Sequence, residues 1–251
     1  MSVFDALAEG YDADFTTQPI GRILRQRIHS RLTTHFRAGM RVLEIGCGTG
    51  EDALFLAERG VQVIATDASA GMIEVTTRKT QHNPLVSVHL LDLNHLKAAF
   101  ETGILDGAFS NFGVLNCITD WQPLAQWLSQ RIRSGGIVGF GVMAPYCLWE
   151  LLWHIGHWRW DIALRRVRGD QFGTLTITYP TIKRLTADFA PHFQRVHVSP
   201  LGVFLPTTAL FDVVQKRPRL MHRLTQLEER VQDQAWLASF ADHYWIEFER
   251  Y

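Results

Sequence analysis

Short apolar runs alternate with amphipathic stretches over residues 41 to 144 of this chain. Five apolar runs have the length of buried strands: Arg41–Ile45, Val61–Thr66, Val86–Leu91, Gly107–Asn111 and Gly136–Met143. Apolar residues recur at helical spacing in the stretches between them, at 51–59, 69–80 and 121–133. Regular alternation of the two patterns predicts a parallel sheet with helices on both of its faces.

The pattern changes after residue 144. One long helix is predicted over Tyr146–Arg168, a segment that contains four tryptophans and many arginines. Beyond it the pattern predicts, in chain order, a strand at Gly173–Tyr179, a helix at Thr181–Phe193, a strand at Val196–Leu205, a charged helical segment at 206–240 and a strand at Tyr244–Phe248.

Three alternate glycines follow the first predicted strand. A buried strand that leads through Gly46, Gly48 and Gly50 into a helix brings backbone close to a nucleoside cofactor. Dinucleotide-binding turns use the spacing Gly-x-Gly-x-x-Gly, and here Glu51 stands where the last glycine would be. A carboxylate at that position disfavours a pyrophosphate. Glu44, a charge within an apolar strand, either orients loop amides or faces a positively charged ligand.

Acidic residues also follow the second and third predicted strands. Asp67 can accept hydrogen bonds from both hydroxyls of a ribose, a property that suits a nicotinamide cofactor equally well. Ser69 is the better candidate to cap the next helix, which leaves Asp67 available for a ligand. Asp92 has the same position after the third strand, with a helix cap as its alternative role.

The segment Val42–Gly50 resembles motif I of the class I S-adenosylmethionine-dependent methyltransferases, in particular those that act on small molecules. This resemblance implies an α/β fold with a seven-stranded, mostly parallel, doubly wound sheet whose seventh strand is antiparallel. It implies S-adenosylmethionine as cofactor, with Asp92 near the adenine and Asn111–Phe112 near the transferring methyl group. The expected cofactor contacts are Tyr11, Glu44, Gly46, Cys47, Gly48, Gly50, Asp67, Ala68, Met72, Asp92, Leu93, Asn111 and Phe112.

The same resemblance implies a division of the chain into four parts. Residues 1–34 are expected to be a helical segment over the cofactor, in which Tyr11 closes on the methionine moiety and Arg22 or Arg25 pairs with its carboxylate. Residues 35–145 are the expected cofactor-binding core. A lid inserted after the fifth strand is expected at 146–193, and the closing strands at 194–251.

The aromatic segment at 146–193 is the predicted substrate region. Trp149 and Trp153 are four residues apart and share a helix face, so with Tyr179 they are candidates to contact a planar or apolar acceptor. Burial of these aromatics within the lid itself is the alternative. His154 is a candidate general base, and no metal is predicted because no acid or cysteine stands at ligand spacing nearby. The tryptophans and arginines of this segment also suggest that it contacts a membrane surface.

Composition narrows the function further. The 251 residues carry 25 basic and 25 acidic side chains, a formal net charge of zero, which argues against a nucleic-acid partner. The three cysteines are far apart in sequence and form no Cys-x-x-Cys pair, which favours a reducing, cytoplasmic location. Neither a signal peptide nor a membrane-spanning run is expected.

These observations predict an enzyme that transfers a methyl group in line from S-adenosylmethionine to a small, aromatic or apolar molecule. An NAD-dependent oxidoreductase that uses the same glycine turn is the alternative enzyme. A non-catalytic partner subunit that binds S-adenosylmethionine is the alternative from another class. The chemical identity of the acceptor atom and the oligomeric state are left open by the sequence.

Overall fold

A seven-stranded sheet organises the computed structural model, which describes residues 4–98, 101–207, 210–211, 214 and 216–251. Its strands in chain order are β1 Arg41–Ile45, β2 Gln62–Asp67, β3 Val86–Leu90, β4 Leu105–Ser110, β5 Ile132–Met143, β8 Phe193–Leu201 and β9 His243–Arg250. A separate hairpin consists of β6 Asp170–Phe172 and β7 Leu175–Ile177. Part of the predicted segment 206–240 lies outside the described residues.

The order of the strands is β3-β2-β1-β4-β5-β9-β8. Strands β1 to β5 are parallel to one another, and β9 is antiparallel to both of its neighbours, β5 and β8. This arrangement confirms the predicted α/β fold with one antiparallel strand. Since β1 and β4 meet at the point where the strand order reverses, their carboxyl ends border the crevice in which such sheets bind ligands.

Helices cover both faces of the sheet. They are α1 Pro19–His35, α2 Glu51–Ala57, α3 Ala70–Thr80, α4 Gln122–Ser129, α5 Leu148–Gly156, α6 Trp160–Ala163, α7 Arg165–Arg168, α8 Ile182–Phe189 and α9 Pro218–Val231. Shorter 3-10 turns lie at Leu93–Ala98, Val114–Cys117 and Ala235–Phe240, and a π-helical turn lies at Asp12–Thr16. None of the described helices is both long and apolar enough to cross a bilayer.

Two apolar cores lie between these helices and the sheet. On one face, the buried residues of α1 are four apart, so Leu24, Ile28 and Leu32 form one stripe that packs with Val42 and Trp245. On the other face, α4 and α8 pack against the aromatic side chains of β5 and β9. Because both faces are covered, the parallel strands are apolar on both sides rather than alternating.

The segment predicted as one helix over Tyr146–Arg168 is instead three short helices, so that prediction was wrong. The chain turns at Trp158, which has a positive φ of 59°, and the amide of Arg159 donates to the carbonyl of His154 at 2.8 Å. Tertiary contacts outweigh local helical propensity here, because the guanidinium of Arg166 is buried against Glu150 and the start of β9.

Three other predicted boundaries were also wrong. The strand expected at Gly173–Tyr179 is limited to β7, and it pairs with β6, a strand that was not predicted. Strand β8 begins at Phe193 and ends at Leu201, four residues before the predicted end. The helix predicted at 121–133 is α4, which ends at Ser129. Strand β5 begins at Ile132, with an irregular pairing to β4.

A buried carboxylate joins α1 to the antiparallel strand. Glu247 of β9 accepts hydrogen bonds from Arg31 at 2.9 and 2.5 Å, from His35 at 3.1 Å and from the indole of Trp245 at 2.7 Å. Burial alone would raise the pKa of Glu247, but the bonds from His35 and Arg31 outweigh it and lower the pKa to about 2.

We expect Glu247→Gln to lower the free energy of unfolding at pH 7 by about 3 kcal/mol. The folded-state pKa is depressed, so this stability is present above pH 4.5 and is lost as the pH falls toward 2. Urea denaturation between pH 7 and pH 3 measures it. The exposed neighbour Glu249 gives the control, Glu249→Gln, and equal pH profiles for wild type and Glu247→Gln would contradict the assignment.

Candidate functional site

A cavity of about 640 Å³ lies at the carboxyl ends of β1, β2 and β4. The glycine turn and the strand ends form its floor, the segment around Tyr11 closes one side, and residues 165–179 close the other. Of the residues predicted as ligand contacts, those that line it are Tyr11, Arg25, Gly46, Cys47, Gly48, Asp67, Ala68, Met72, Asp92, Leu93, Asn111, Phe112 and Tyr179.

The glycine turn has a backbone that other residues would not adopt easily. Gly46 and Gly50 have positive φ values of 72° and 82°. A Cβ atom at Gly46 would overlap the side chain of Val114, and one at Gly50 would lie 2.8 Å from the side chain of Thr76. Gly50 therefore packs against Thr76 and does not line the cavity. Gly46 and Gly48 of the same turn do line it.

Asp67 is fixed at the end of β2 by backbone amides. Its two carboxylate oxygens accept from the amides of Gly48 and Ser69, each at 2.9 Å. Burial raises the pKa of Asp67, and the amide hydrogen bonds oppose that rise. Ser69 caps α3 through its hydroxyl, as predicted, which receives the amide of Met72 at 3.2 Å. The Asp67 carboxylate thus faces the cavity with its orientation already set.

Polar bonds tie the N-terminal segment to the glycine turn. Asp12, next to Tyr11, accepts from the hydroxyl of Thr49 at 2.6 Å and from Lys79 at 2.8 Å. Lys79 also pairs with Glu51 at the start of α2. Burial raises the pKa of Tyr11 to about 12, although the charge of Arg25 opposes the rise, so the phenol that faces the cavity is neutral at pH 7.

Glu44 is buried in β1 behind the cavity wall rather than in its lining. Burial raises its pKa well above the ordinary value, the charge of Asp52 raises it further, and Arg25 opposes both. Its Oε2 has no hydrogen-bond partner among the described residues. An unsatisfied buried carboxyl of this kind suits a site that gains a donor or a positive charge when a ligand binds.

Phe112 follows β4 in a strained conformation. Its φ of 49° lies in the left-handed region, and its amide donates to the side chain of Asn111 at 2.8 Å. Asn111 in turn donates to buried Asp52 at 2.9 Å. The ring of Phe112 lies under the guanidinium of Arg25, 4.9 Å away, and edge-on to Phe15.

Asp52 is the centre of this network. Arg25 and His29 reach one of its oxygens at 2.6 and 2.7 Å, and Asn111 reaches the other. Burial alone would raise its pKa, yet the charge of Arg25 and the bond from His29 lower it well below the ordinary range. Of the two arginines considered from the sequence, Arg25 therefore reaches the cavity already paired, while Arg22 is exposed.

Asp92 lies at the edge of the cavity after β3. It accepts from the amide of Asn94 at 2.9 Å and from His95 at 2.7 Å. Burial opposes ionisation of Asp92, but these bonds lower its pKa. The carboxylate therefore caps the turn that begins at Leu93 and also borders the cavity, while its contact with an adenine stays a prediction.

On the side formed by residues 165–179, the cavity is lined by polar residues and by a group of apolar side chains that we call the apolar wall. Met143, Leu175 and Ile177 contribute to it together with Phe172, whose ring contacts that of Phe4 with centroids 5.8 Å apart. Tyr179 supplies the phenol on this side. Burial raises the pKa of Tyr179, and the charges of Arg166 and Arg165 oppose the rise.

The other predicted substrate residues lie elsewhere. The indole of Trp149 donates to the carbonyl of Phe204 at 2.7 Å, and the ring of Trp153 packs against His157. His154 is also outside the cavity lining, and burial lowers its pKa. These contacts hold the side chains of α5 outside the cavity lining, so the prediction that Trp149 and Trp153 line the pocket is not met.

Sequence reasoning missed several residues of the site. The missed polar ones are Thr49, Asp52, Asn94, Arg165, Asp170 and Gln171, and the missed apolar ones include Phe4, Val114, Ile118, Met143, Phe172, Leu175 and Ile177. Asp52 gave one usable signal, because an acid at the second position of a predicted helix stands close to the glycine turn. The β6–β7 residues gave none, since their place depends on how the chain folds back.

Cys147, Glu150 and Asp242 form a buried group of side chains that could ligate a metal. The guanidinium of Arg166 bonds both carboxylates, at 2.9 Å to Glu150 and at 2.6 Å to Asp242. The guanidinium of Arg166 therefore supplies the positive charge that balances these two carboxylates.

Comparison with known proteins agrees with this geometry. Residues 42–136, which include the glycine turn and the ends of β2, β3 and β4, match the family model described as a methyltransferase domain. Over these residues the chain is therefore similar to methyltransferase domains. A demethylmenaquinone methyltransferase from Symbiobacterium thermophilum is 33% identical over 139 residues, which are 53% of this chain and 55% of that protein.

Solved methyltransferases share the fold over most of the chain. An S-adenosylmethionine-dependent methyltransferase from Mesorhizobium loti covers 90% of this chain and 98% of its own length, with a TM-score of 0.60 and 16% identity. Geranyl diphosphate C-methyltransferase from Streptomyces coelicolor covers 92% of this chain and 82% of its own, with a TM-score of 0.59 and 14% identity. In contrast, this chain spans about half the length of the curated relatives it matches.

We expect Asp52→Asn to lower the free energy of unfolding by about 3 kcal/mol, because it leaves the guanidinium of Arg25 buried without its counter-charge. Asp188→Asn is the matched control. Asp188 is equally buried, but its partner Arg184 is exposed, so we expect a loss of about 1 kcal/mol there. Urea denaturation measures both losses, and equal losses would show that Arg25 is not held by Asp52.

Proposed function

We propose that this protein transfers a methyl group in line from S-adenosylmethionine to a small, aromatic or apolar molecule. The observation that carries the proposal is that Asp67 and the glycine turn share one cavity with an apolar wall. A polar half suited to a nucleoside and an apolar half suited to an acceptor thus lie next to each other. Such proximity is most of what a displacement at an activated methyl group requires.

The residues present fit the cofactor. Asp67 would accept the ribose hydroxyls, Asp92 would accept the adenine amine, and the amides of the glycine turn would border the methionine moiety together with Tyr11. Bound there, the cofactor supplies an electrophilic methyl group on a cationic sulfur. The orphaned Oε2 of Glu44 supports a positively charged ligand, because a nearby cation would stabilise its ionised form.

The apolar wall and the names of the relatives both support an apolar acceptor. Demethylmenaquinone methyltransferases recur among the curated relatives, and a geranyl diphosphate C-methyltransferase shares the fold. We therefore place quinone-like and isoprenoid-like molecules first among acceptors, delivered from a lipid surface. We also place the protein in the cytoplasm, a proposal supported by the free thiols Cys47, Cys117 and Cys147.

Tyr179 is the side chain that we assign to orientation of the acceptor. Burial raises its pKa further above neutral pH, and the protonated phenol can donate a hydrogen bond to a carbonyl or hydroxyl oxygen of the acceptor. His154 lies outside the cavity lining and is not assigned the role of base. An acceptor that is ionised easily, such as a quinol, needs little help from a base.

Titration separates this proposal from its two alternatives. S-adenosylhomocysteine should bind and NADH should not, because Glu51 borders the cavity at the position where a pyrophosphate would lie. Transfer of a radiolabelled methyl group to a panel of quinols, phenols and isoprenoids then tests activity. Binding of S-adenosylhomocysteine without transfer to any acceptor would favour a non-catalytic subunit.

We expect Asp67→Ala to weaken the binding of S-adenosylhomocysteine by at least about 100-fold, because two hydrogen bonds to a charged acceptor are lost. Isothermal titration calorimetry measures the affinity. Asp106→Ala is the matched control, since Asp106 also accepts a backbone amide, that of Arg41 at 2.9 Å, but lies at the opposite edge of the sheet. An unchanged affinity in Asp67→Ala would refute the ribose assignment.

We expect Tyr179→Phe to raise KM for an oxygen-containing acceptor about tenfold while the affinity for S-adenosylhomocysteine stays constant. The loss of one neutral hydrogen bond accounts for that size. The exposed tyrosine at 146 packs on Phe240 outside the cavity, so Tyr146→Phe is the control. Steady-state kinetics check the prediction, and it fails if Tyr179→Phe and wild type share the same KM.

A further inference from the structure

Helices α5 to α7 expose an unusual number of large apolar side chains. Trp158 is 82% exposed, Leu152 is 64% exposed and Trp160 is 51% exposed. Ile155, Leu164 and Val167 are exposed as well. Exposed apolar groups scattered singly are normal, but six within sixteen residues of one chain segment form a surface with a binding role. We call these six side chains the α5–α7 surface.

Buried bonds fix the opposite side of this segment. The guanidinium of Arg166 bonds Glu150 and Asp242, and it also donates to the carbonyl of Ala144 at 3.2 Å. Trp149 is held by its bond to Phe204. With these groups anchored inward, the large apolar side chains named above are the ones that remain exposed.

The turn at Trp158 adds a second constraint. A tryptophan with a φ of 59° adopts a conformation that costs free energy for any residue with a Cβ. The turn places its indole, the most exposed of the apolar side chains named above, between the ends of α5 and α6. The chain therefore accepts local strain while it presents an indole to solvent.

The charges on the same segment favour an anionic surface. Arg159 is exposed between α5 and α6, and Arg168 is exposed at the end of α7. The carboxylate of Glu150 is buried and already paired with Arg165 and Arg166, so Asp161 is the one exposed acid between residues 148 and 168. Indoles next to exposed guanidinium groups are typical of segments that lie in the headgroup region of a bilayer.

The surface is also next to the cavity wall in the chain. Arg165 of α7 lines the cavity, and the chain continues from α7 directly into the β6–β7 hairpin that supplies Phe172 and Leu175. A segment that docks on a bilayer would therefore carry residues of the cavity lining with it.

We propose that the α5–α7 surface docks on an anionic lipid bilayer, with the indoles of Trp158 and Trp160 at the headgroup level. The proposal rests on the proposed function in one respect, since an apolar acceptor is what a bilayer would deliver. A second copy of the chain is the other occupant considered. The exposed arginines favour the bilayer, because two copies of this positively charged surface would repel each other.

Sedimentation with vesicles tests the docking. The protein should sediment with vesicles of phosphatidylglycerol and phosphatidylcholine, and less with phosphatidylcholine alone. The double variant Trp158→Asn/Trp160→Gln should lower the partition coefficient by about tenfold or more, since it removes two interfacial anchors. Asparagine tolerates the left-handed conformation at 158, so the fold is kept. Ile104→Gln is the control, at an exposed residue beside the amino end of β4.

The charges are tested in the same way. Arg159→Gln and Arg168→Gln should each lower the partition coefficient about fivefold at low salt. Arg37→Gln, which removes an exposed arginine before β1, should leave it unchanged. Protein that stays in the supernatant with anionic vesicles, or variants that sediment like wild type, would overturn the proposal. So would a dimer in sedimentation equilibrium that the tryptophan double variant dissociates without any vesicle binding.

Vesicle binding needs neither cofactor nor acceptor, so the two proposals fail separately. Loss of vesicle binding with intact binding of S-adenosylhomocysteine would overturn the docking alone. Vesicle binding by a protein that does not bind S-adenosylhomocysteine would overturn the proposed function alone.

Discussion

The buried guanidinium of Arg166 is the constraint on which the substrate side of the molecule depends. It bonds Glu150 of α5 and both the side chain and the carbonyl of Asp242 at the start of β9. Burial opposes its positive charge, but the charge of Asp242 and the bond to Glu150 raise its pKa well above the ordinary range. Removal of either carboxylate would take away one of the two charge partners of a buried guanidinium, which is more costly than loss of a surface ion pair.

A second buried cation performs the same task on the cofactor side. Arg25 of α1 pairs with Asp52 of α2, and through Asn111 this pair reaches the end of β4. The two networks converge on Phe112. Its ring lies under Arg25 and edge-on to His243, which bonds Asp242 at 3.1 Å. The strained residue next to the expected methyl group is thus held from both sides by charge pairs, which explains how its positive φ persists.

Sequence reasoning worked best where local pattern and fold coincide. The five parallel strands, the Ser69 cap and the positions of Asp67 and Asp92 followed from periodicity and from the rule that ligands bind at carboxyl strand ends. Each of these features depends on residues close together in sequence. The strong signal from the glycine turn has the same origin, because one strand, one turn and one helix create it.

The segment after β5 was not predictable in the same way. Residues 146–168 have helical periodicity throughout, and nothing in that pattern shows that Arg166 must reach Asp242, 76 residues further along the chain. Once that contact forms, the helix has to break, Trp153 and His154 turn away from the cavity, and the β6–β7 hairpin takes their place. Helix propensity contributes little free energy per residue, and the cost of breaking one buried charge pair is larger.

The acids around the glycine turn also bear on turnover. Burial raises the pKa values of Glu44 and Asp67, so ionisation of these carboxyls costs more here than in water, and a nearby positive charge lowers that cost. By linkage, a cation that lowers the pKa of a carboxyl binds the ionised form more tightly than the protonated form, and the two effects are equal in free energy. The sulfur of the cofactor is cationic before methyl transfer and neutral after it. Under the proposed function, the buried carboxyl of Glu44 would therefore favour the cationic methyl donor over the demethylated product.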